Sequence, residues 1–243
     1  MSDNDAELEV FQGEINTGNP EPRCACMLVL DTSSSMSGKP IKELNDGIAR
    51  FAEELQEDPL ARKRTEVAVV TFGSTVQVRS PFVEVGAFEP VELQAAGTTP
   101  MGAGILLALD ELEQRKRIYR EMGFEFFRPW LILMTDGAPT DSDAVEKALS
   151  RLLSWEDKKH VSVFPIGIGD GADMAFLART SAQRDPLHLK DAQLTDFFVW
   201  ASVNLGSVAS SVGHGASDDE VNRKLATGEQ VALTAPPRGY DYA

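Results

Sequence analysis

The chain has 243 residues, 42% of them apolar, which is enough for one large domain with a full core. Its 38 acidic residues outnumber 23 lysines and arginines, and the net charge of −15 argues against nucleic acid and membrane as partners. No stretch approaches the roughly 20 apolar residues that a bilayer crossing needs. The opening MSDNDAELEVFQGEINTGNPEPR lacks the basic and apolar blocks of an export signal, so the expected location is cytoplasmic.

Residues 1–22 read as an acidic, flexible leader, 23–212 as the domain, and 213–243 as a Gly-, Asp-, Ala- and Pro-rich extension. The apolar run CACMLVL (24–30) predicts a buried strand. Cys24 and Cys26 are the two cysteines of the chain. Two positions apart on a strand they share a face and stay free thiols, too few for a four-ligand zinc site. Behind them Ile41, Leu44, Ile48, Phe51 and Leu55 recur at helical spacing. VAVVTF (67–72) predicts a second strand, and TVQVRSPFVEV (75–85), alternating and carrying Pro81, an edge strand.

A second helix is predicted over MGAGILLALDELEQRK, and the basic run from Arg115 to Arg120 reads as its solvated end. WLILMT (130–135) is a further buried strand, DAVEKALSRLLSW a third helix and VSVFPIGIG (161–169) another strand. DMAFLART, LHLK and AQLTDFFVWASVNLGSV follow as short helix, short strand and last helix. Continuous apolar strands between amphipathic helices predict an α/β, Rossmann-like doubly wound fold. Its central sheet is mostly parallel, with helices on both faces and one antiparallel edge strand.

In such sheets ligands bind outside the carboxyl ends of the strands, which selects DTSSSMSG (31–38), QAAGTTPMGAG (94–104) and TDGAPTD (135–141). The oxygens from Asp31 through Ser35 exceed what one helix cap needs, and hard oxygen donors are what magnesium or calcium prefers. From this octapeptide, capping and metal binding stay equally open. Thr99 reads as the cap of the second helix, with Pro100 at its first position, and Asp141 as the cap of the helix beginning near Ser142. GIGDGAD (167–173) has neither G-x-G-x-x-G nor a Walker lysine and reads as a strand-to-helix turn. His160, His188 and His214 show no ligand spacing.

Asp31-x-Ser33-x-Ser35, the threonine of GTTPMG and Asp136 of LMTDGAPTD resemble the metal-ion-dependent adhesion site of the von Willebrand factor A family, in order and in spacing. The resemblance covers residues 24–212; Ser34 stands where the family often has glycine. It implies that the Ser33 and Ser35 hydroxyls, and Thr99 in one state, ligate a metal directly, while Asp31 and Asp136 act through water or through bonds to the ligands. The implied ion is magnesium (Mg2+), with manganese and calcium as alternatives, and its open position takes a Glu or Asp from a partner protein. Binding is the implied work, with no catalytic residue.

RCACMLVLDTSSSMSG, PIGIGDGADMAFLARTS, FFVWASVNLGSVASSV and the late VALTAPPRGYDY are similar to the bacterial tellurium-resistance (TerY-like) group of that family. This implies a stress-response system whose operon also encodes a phosphatase and a kinase-like protein as candidate partners. Two other readings compete. A magnesium-dependent phosphohydrolase of the haloacid-dehalogenase type would place a second aspartate where Ser33 stands and needs a lysine that no motif supplies. An accessory module of an AAA-type ATPase would use the same metal site for binding.

Overall fold

The computed structural model describes residues 15–189, 193–210 and 241–242. Most of the acidic leader, most of the C-terminal extension and His214 lie outside the described residues. The elements are β1 (Cys24–Asp31), α1 (Lys39–Glu57), α2 (Ala61–Arg64), β2 (Thr65–Phe72), β3 (Val76–Glu84) and α3 (Met101–Met122). They continue with β4 (Trp130–Thr135), α4 (Ser142–Asp157), β5 (Ser162–Ile168), α5 (Met174–Leu177), β6 (Leu187–Leu189), α6 (Gln193–Ser210) and β7 (Asp241–Tyr242).

The sheet order is β3-β2-β1-β4-β5-β6-β7. Strands β1, β2, β4, β5 and β6 run parallel, and β3 closes one edge antiparallel to β2. The expected doubly wound α/β architecture is therefore present, and the two-residue β7 adds an antiparallel pairing with β6 at the far edge. Strand β3 is half-exposed, and its ladder shifts register between Val67 and Val70, in the stretch where β3 carries Ser80 and Pro81. A proline that cannot donate to the ladder is tolerated at such an irregular edge.

Every residue of β1 and β2 is buried because helices cover both faces. Cys24, Cys26, Leu28 and Leu30 pack with Ile48 and Phe51 of α1 and Phe197 and Phe198 of α6. The alternate residues Ala25, Met27 and Val29 meet Ile105 and Leu109 of α3 and Leu149 of α4. Both thiols thus share one face, as their spacing predicts.

Two expectations need correcting at the amino ends of the strands. The basic run of α3 is solvated only in part: Arg117 and Arg120 are exposed, but Arg115 is 3% exposed, and its Nε lies 2.6 Å from Oε2 of the fully buried Glu66. The helix continues two turns beyond Lys116 and stops at Gly123, which adopts the left-handed conformation of a C-terminal cap. Residues 16–22 of the leader are also tied down. Arg23 Nη2 donates to the carbonyls of Asn16 (2.8 Å) and Asn19 (2.9 Å), and Arg64 bonds both Glu21 and the Ala209 carbonyl at the end of α6.

Chain order reverses between β1, which is followed outward by β2, and β4, from which β5 and β6 proceed the other way. This switch point leaves a crevice above the carboxyl ends of β1 and β4. Leu30 pairs with Met134, so Asp31 and Thr135 emerge side by side.

Candidate functional site

Asp31 is the last residue of β1 and has no exposed surface. Its Oδ1 accepts the Ser33 N–H (2.7 Å) and its Oδ2 the Thr135 hydroxyl (2.5 Å). One carboxylate therefore fixes both the start of the serine loop and the end of the neighbouring strand. Thr135 carries no signal in the sequence, because its role depends on the β1–β4 pairing and not on any local pattern. Its Oγ1 also accepts the Gly137 N–H (3.2 Å), which shapes the turn that presents Asp136.

The serines cap no helix. Ser33 stands before the 3-10 turn Ser34–Met36 without capping it, and α1 begins after Gly38, again with no side-chain cap. Instead Ser33 Oγ lies 2.9 Å from Ser35 Oγ, and Ser35 donates to Asp136 Oδ1 at 2.6 Å. Asp31, Ser33, Ser35 and Asp136 thus form one connected set of oxygens running from a buried carboxylate to an exposed hydroxyl. Capping does not explain these serines.

The second loop is laced to the first by backbone bonds. Ser34 N donates to Gly97 O (3.0 Å) and Ala96 N to Thr32 O (2.7 Å). Gly97 makes this possible: its φ is +86°, and a Cβ there would come within 2.4 Å of the Ser74 backbone. Thr99 is 7% exposed, beside the third loop, and its carbonyl accepts Met101 N (2.7 Å) and Thr140 N (2.9 Å). Thr98 is exposed. The sequence-selected residues Asp31, Ser33, Ser35 and Asp136 are joined directly by hydrogen bonds. Thr99 is joined to them through the backbone of its loop.

Two capping assignments change. Helix α3 follows Pro100 and Thr99 provides no side-chain cap. Asp141 stands before α4 without capping it; its carboxylate accepts Gly102 N (3.0 Å) and Ala103 N (2.8 Å) in the first turn of α3. By contrast, GIGDGAD does form a strand-to-helix turn, with Asp173 accepting Phe176 N (2.9 Å) at the start of α5.

Burial is the main influence on both site carboxyls. It pushes Asp31 upward, against hydrogen bonds from Ser33 and Thr135 that pull it down, while the neighbouring Asp136 charge adds to the rise. Burial likewise raises Asp136, opposed by the Ser35 hydroxyl. Among the described residues no three His, Cys, Asp or Glu side chains come together as a metal cluster. A cation held here would rely on hydroxyls beside two carboxylates, an all-oxygen donor set suited to hard ions and not to zinc.

Known proteins share this fold. Residues 26–198 match the model of the von Willebrand factor type A domain. A curated relative, inter-alpha-trypsin inhibitor heavy chain H4 of Bos taurus, is 23% identical over 173 residues, covering 66% of this chain and 18% of that protein. Among solved structures, the pilus adhesin SpaC of Lactobacillus rhamnosus GG superimposes with a TM-score of 0.57 at 13% identity, over 81% of this chain and 31% of that one. Proximal thread matrix protein 1 from the mussel byssus gives 0.52 at 19% identity, over 77% and 49%. A von Willebrand factor type A protein of Catenulispora acidiphila gives 0.51 at 18%, over 77% and 43%. The chain thus spans less than half of each of these relatives, and the structural likenesses speak for fold alone. With the family match covering both cores and all three loops above the β1–β4 crevice, the chain belongs to the von Willebrand factor type A domain family.

Proposed function

We propose that the chain is a metal-dependent protein-interaction module. A divalent cation, magnesium before manganese or calcium, is held by the hydroxyls of Ser33, Ser35 and Thr99, with Asp31 and Asp136 positioning those hydroxyls and the bound water. The observation that carries this reading is the continuous oxygen set Asp31–Ser33–Ser35–Asp136 at the topological switch point, whose serines cap no helix. Domains of this family are interaction modules, which favours binding over turnover.

The donor chemistry explains why such a site would seek a partner. Both carboxylates are disfavoured as anions by burial, and a cation relieves that penalty. Neutral hydroxyls nearest the ion leave much of its charge uncompensated, so an open position favours an anionic oxygen. A Glu or Asp of another protein supplies one, and Ser35 and the half-buried Asp136 lie on the open side where it would approach.

The resemblance of RCACMLVLDTSSSMSG, PIGIGDGADMAFLARTS and FFVWASVNLGSVASSV to the tellurium-resistance group supports a narrower form of the proposal. The module would then act in the cytoplasm in a bacterial stress response, with a kinase-like or phosphatase protein of the same operon as partner. No observation favours the phosphohydrolase: Ser33 occupies the position of the second aspartate, and its hydroxyl is engaged with Ser35.

Calorimetric titration of magnesium into chelator-treated protein tests the site. Ser35→Ala, at an exposed position, is expected to weaken binding at least tenfold, and Asp31→Ala to abolish it. Equal affinity in the wild type and Ser35→Ala would refute the assignment. Because Asp31 also anchors Ser33 and Thr135, its variant needs a circular-dichroism check of the fold.

A further inference from the structure

A second site is built at the opposite end of the sheet. Between the last turns of α3 and α4 lies a cavity of about 290 Å3. Lys116 and Arg120 of α3 and Arg151 of α4 line it, with Lys158 and His160 on the turn into β5; Glu113 is the carboxylate among the lining residues. Four permanent cations around one small cavity invert the local charge of a chain whose net charge is −15.

Cations at a helix carboxyl end complement the helix dipole, which accounts for the exposed Arg120 and Lys158. It does not account for the inner pair. Lys116 is 5% exposed; its Nζ donates to the His160 carbonyl (3.2 Å) and lies 5.4 Å from the Trp155 ring centre. The Arg151 guanidinium lies 5.3 Å from the same ring. Trp155 therefore holds two cations in place as the cavity wall, and groups fixed before binding lose little freedom on binding.

Arg151 also pairs with Asp110 and, at 2.7 Å, with Glu113. Both carboxylates are more than 60% exposed, and exposed pairs contribute little, so a dianion could displace them cheaply. The field inside is positive by a separate sign. His160 is held below the usual imidazole range, first by partial burial and then by Lys116, Arg120 and Lys158, with Glu113 opposing.

We propose that this cavity binds a phosphate-type dianion, either free phosphate or a phosphate monoester on another molecule, through Lys116, Arg120, Arg151 and Lys158. The volume lies at the lower limit of small-ligand pockets, roughly 300 Å3, which suits one tetrahedral oxyanion and not a large organic ligand. Arginine forks and lysine ammonium groups are the side chains that take phosphate oxygens. Thr99 precedes the first turn of α3 and Arg120 lies in its last, so ~30 Å of helix separates this cavity from the candidate metal site.

The test is proton NMR of the His160 ring in full-length protein, assigned with His160→Gln and run in chelator so that the outcome is independent of the metal site. Inorganic phosphate at constant ionic strength is expected to shift the His160 signal saturably. A bound dianion favours the imidazolium, so the His160 midpoint should rise by about half a pH unit or more. Arg120→Gln and Lys158→Gln, both at exposed positions, should each weaken phosphate about threefold or more, and the double variant should abolish the shift.

A phosphoserine peptide and its unphosphorylated twin separate the sources. Tighter binding of the phosphopeptide than of inorganic phosphate assigns the site to a phosphorylated protein, and the reverse assigns it to free phosphate. An equal response to chloride, equal binding of the unphosphorylated peptide, or an unmoved His160 midpoint would each overturn the proposal.

Discussion

The Asp141 carboxylate receives the backbone N–H groups of Gly102 and Ala103, at 3.0 and 2.8 Å, so the residue that leads into α4 holds the amino end of α3. A carboxylate at this position satisfies two donors that the helix cannot and meets the positive end of its dipole. Thr99 stands just before that turn, and its carbonyl is bonded to Thr140, next to Asp141. The contact therefore locks the second loop of the candidate site to the third.

Asp141→Ala is accordingly expected to act twice. Loss of the cap should destabilise the domain by about 1–2 kcal/mol, seen as a lower urea midpoint. Release of the two loops should also weaken magnesium binding severalfold, although Asp141 is not placed among the ligands. Asp141→Asn, which keeps one acceptor oxygen, should recover part of both. Unchanged magnesium affinity in a destabilised Asp141→Ala would show that the cap does not position Thr99.

A second prediction concerns the buried charges beneath the sheet. Glu66 has no exposed surface and meets Arg115 at 2.6 Å, the Tyr119 hydroxyl, and Arg23 Nε at 3.6 Å. Removing one partner of a buried pair strands the others, which costs about 3–5 kcal/mol, far more than a surface pair is worth. Glu66→Gln should show a loss of that order in chemical denaturation. Tyr119→Phe removes one hydrogen bond and should lose roughly 1–2 kcal/mol. A loss below 1 kcal/mol for Glu66→Gln would mean that water or rearrangement compensates the guanidinium groups.

These examples also mark what the sequence makes legible. Asp31, Ser33 and Ser35 stand within one strand-to-helix turn, and Asp136 ends an apolar run. The rule that ligands lie at the carboxyl ends of parallel strands suffices to bring them together. The sheet was legible for the same reason, since continuous apolar strands announce burial on both faces. Thr135, Asp141 and Arg115 were not. Each bonds a group that is 35 or more positions away in the chain and becomes a neighbour only through packing of β4 on β1, α4 on α3, or α3 on β2. Local charge and capping patterns then point the wrong way: the run around Arg115 suggests solvent where Arg115 itself is buried, and Asp141 suggests a cap for its own helix where it caps α3.

The two thiols give a prediction with a pH sign. Burial, with a smaller contribution from the Glu66 charge, pushes Cys24 up to about 12, and burial raises Cys26 as well. The thiolate is the reactive form, so neither cysteine should react with a disulfide reagent in the native state at pH 8, and both should react after denaturation. Since the folded values lie above the unfolded ones, the thiols contribute stability that is present below the unfolded value, near 9, and is lost as pH rises through the folded value. Free-thiol counts before and after urea check the first statement. Rapid native-state labelling would show that β1 opens locally.

The last prediction addresses the covering of the sheet by α1 and α6. Gly47 of α1 faces Phe198 of α6 so closely that a Cβ would stand 2.5 Å from the ring. Phe198 has no exposed surface and is hemmed by Phe51 and Phe197, with ring centres 5.6 and 5.8 Å away, so it cannot swing aside. Alanine would gain about 1 kcal/mol of helix propensity, but overpacking a filled core costs roughly 1–3 kcal/mol. The clash should win, and Gly47→Ala is expected to lower the melting temperature by several degrees. Phe198→Leu in the same chain should restore part of the loss, giving a coupling energy of about 1 kcal/mol in a double-mutant cycle. A Gly47→Ala protein more stable than the wild type would mean that α6 shifts freely over α1.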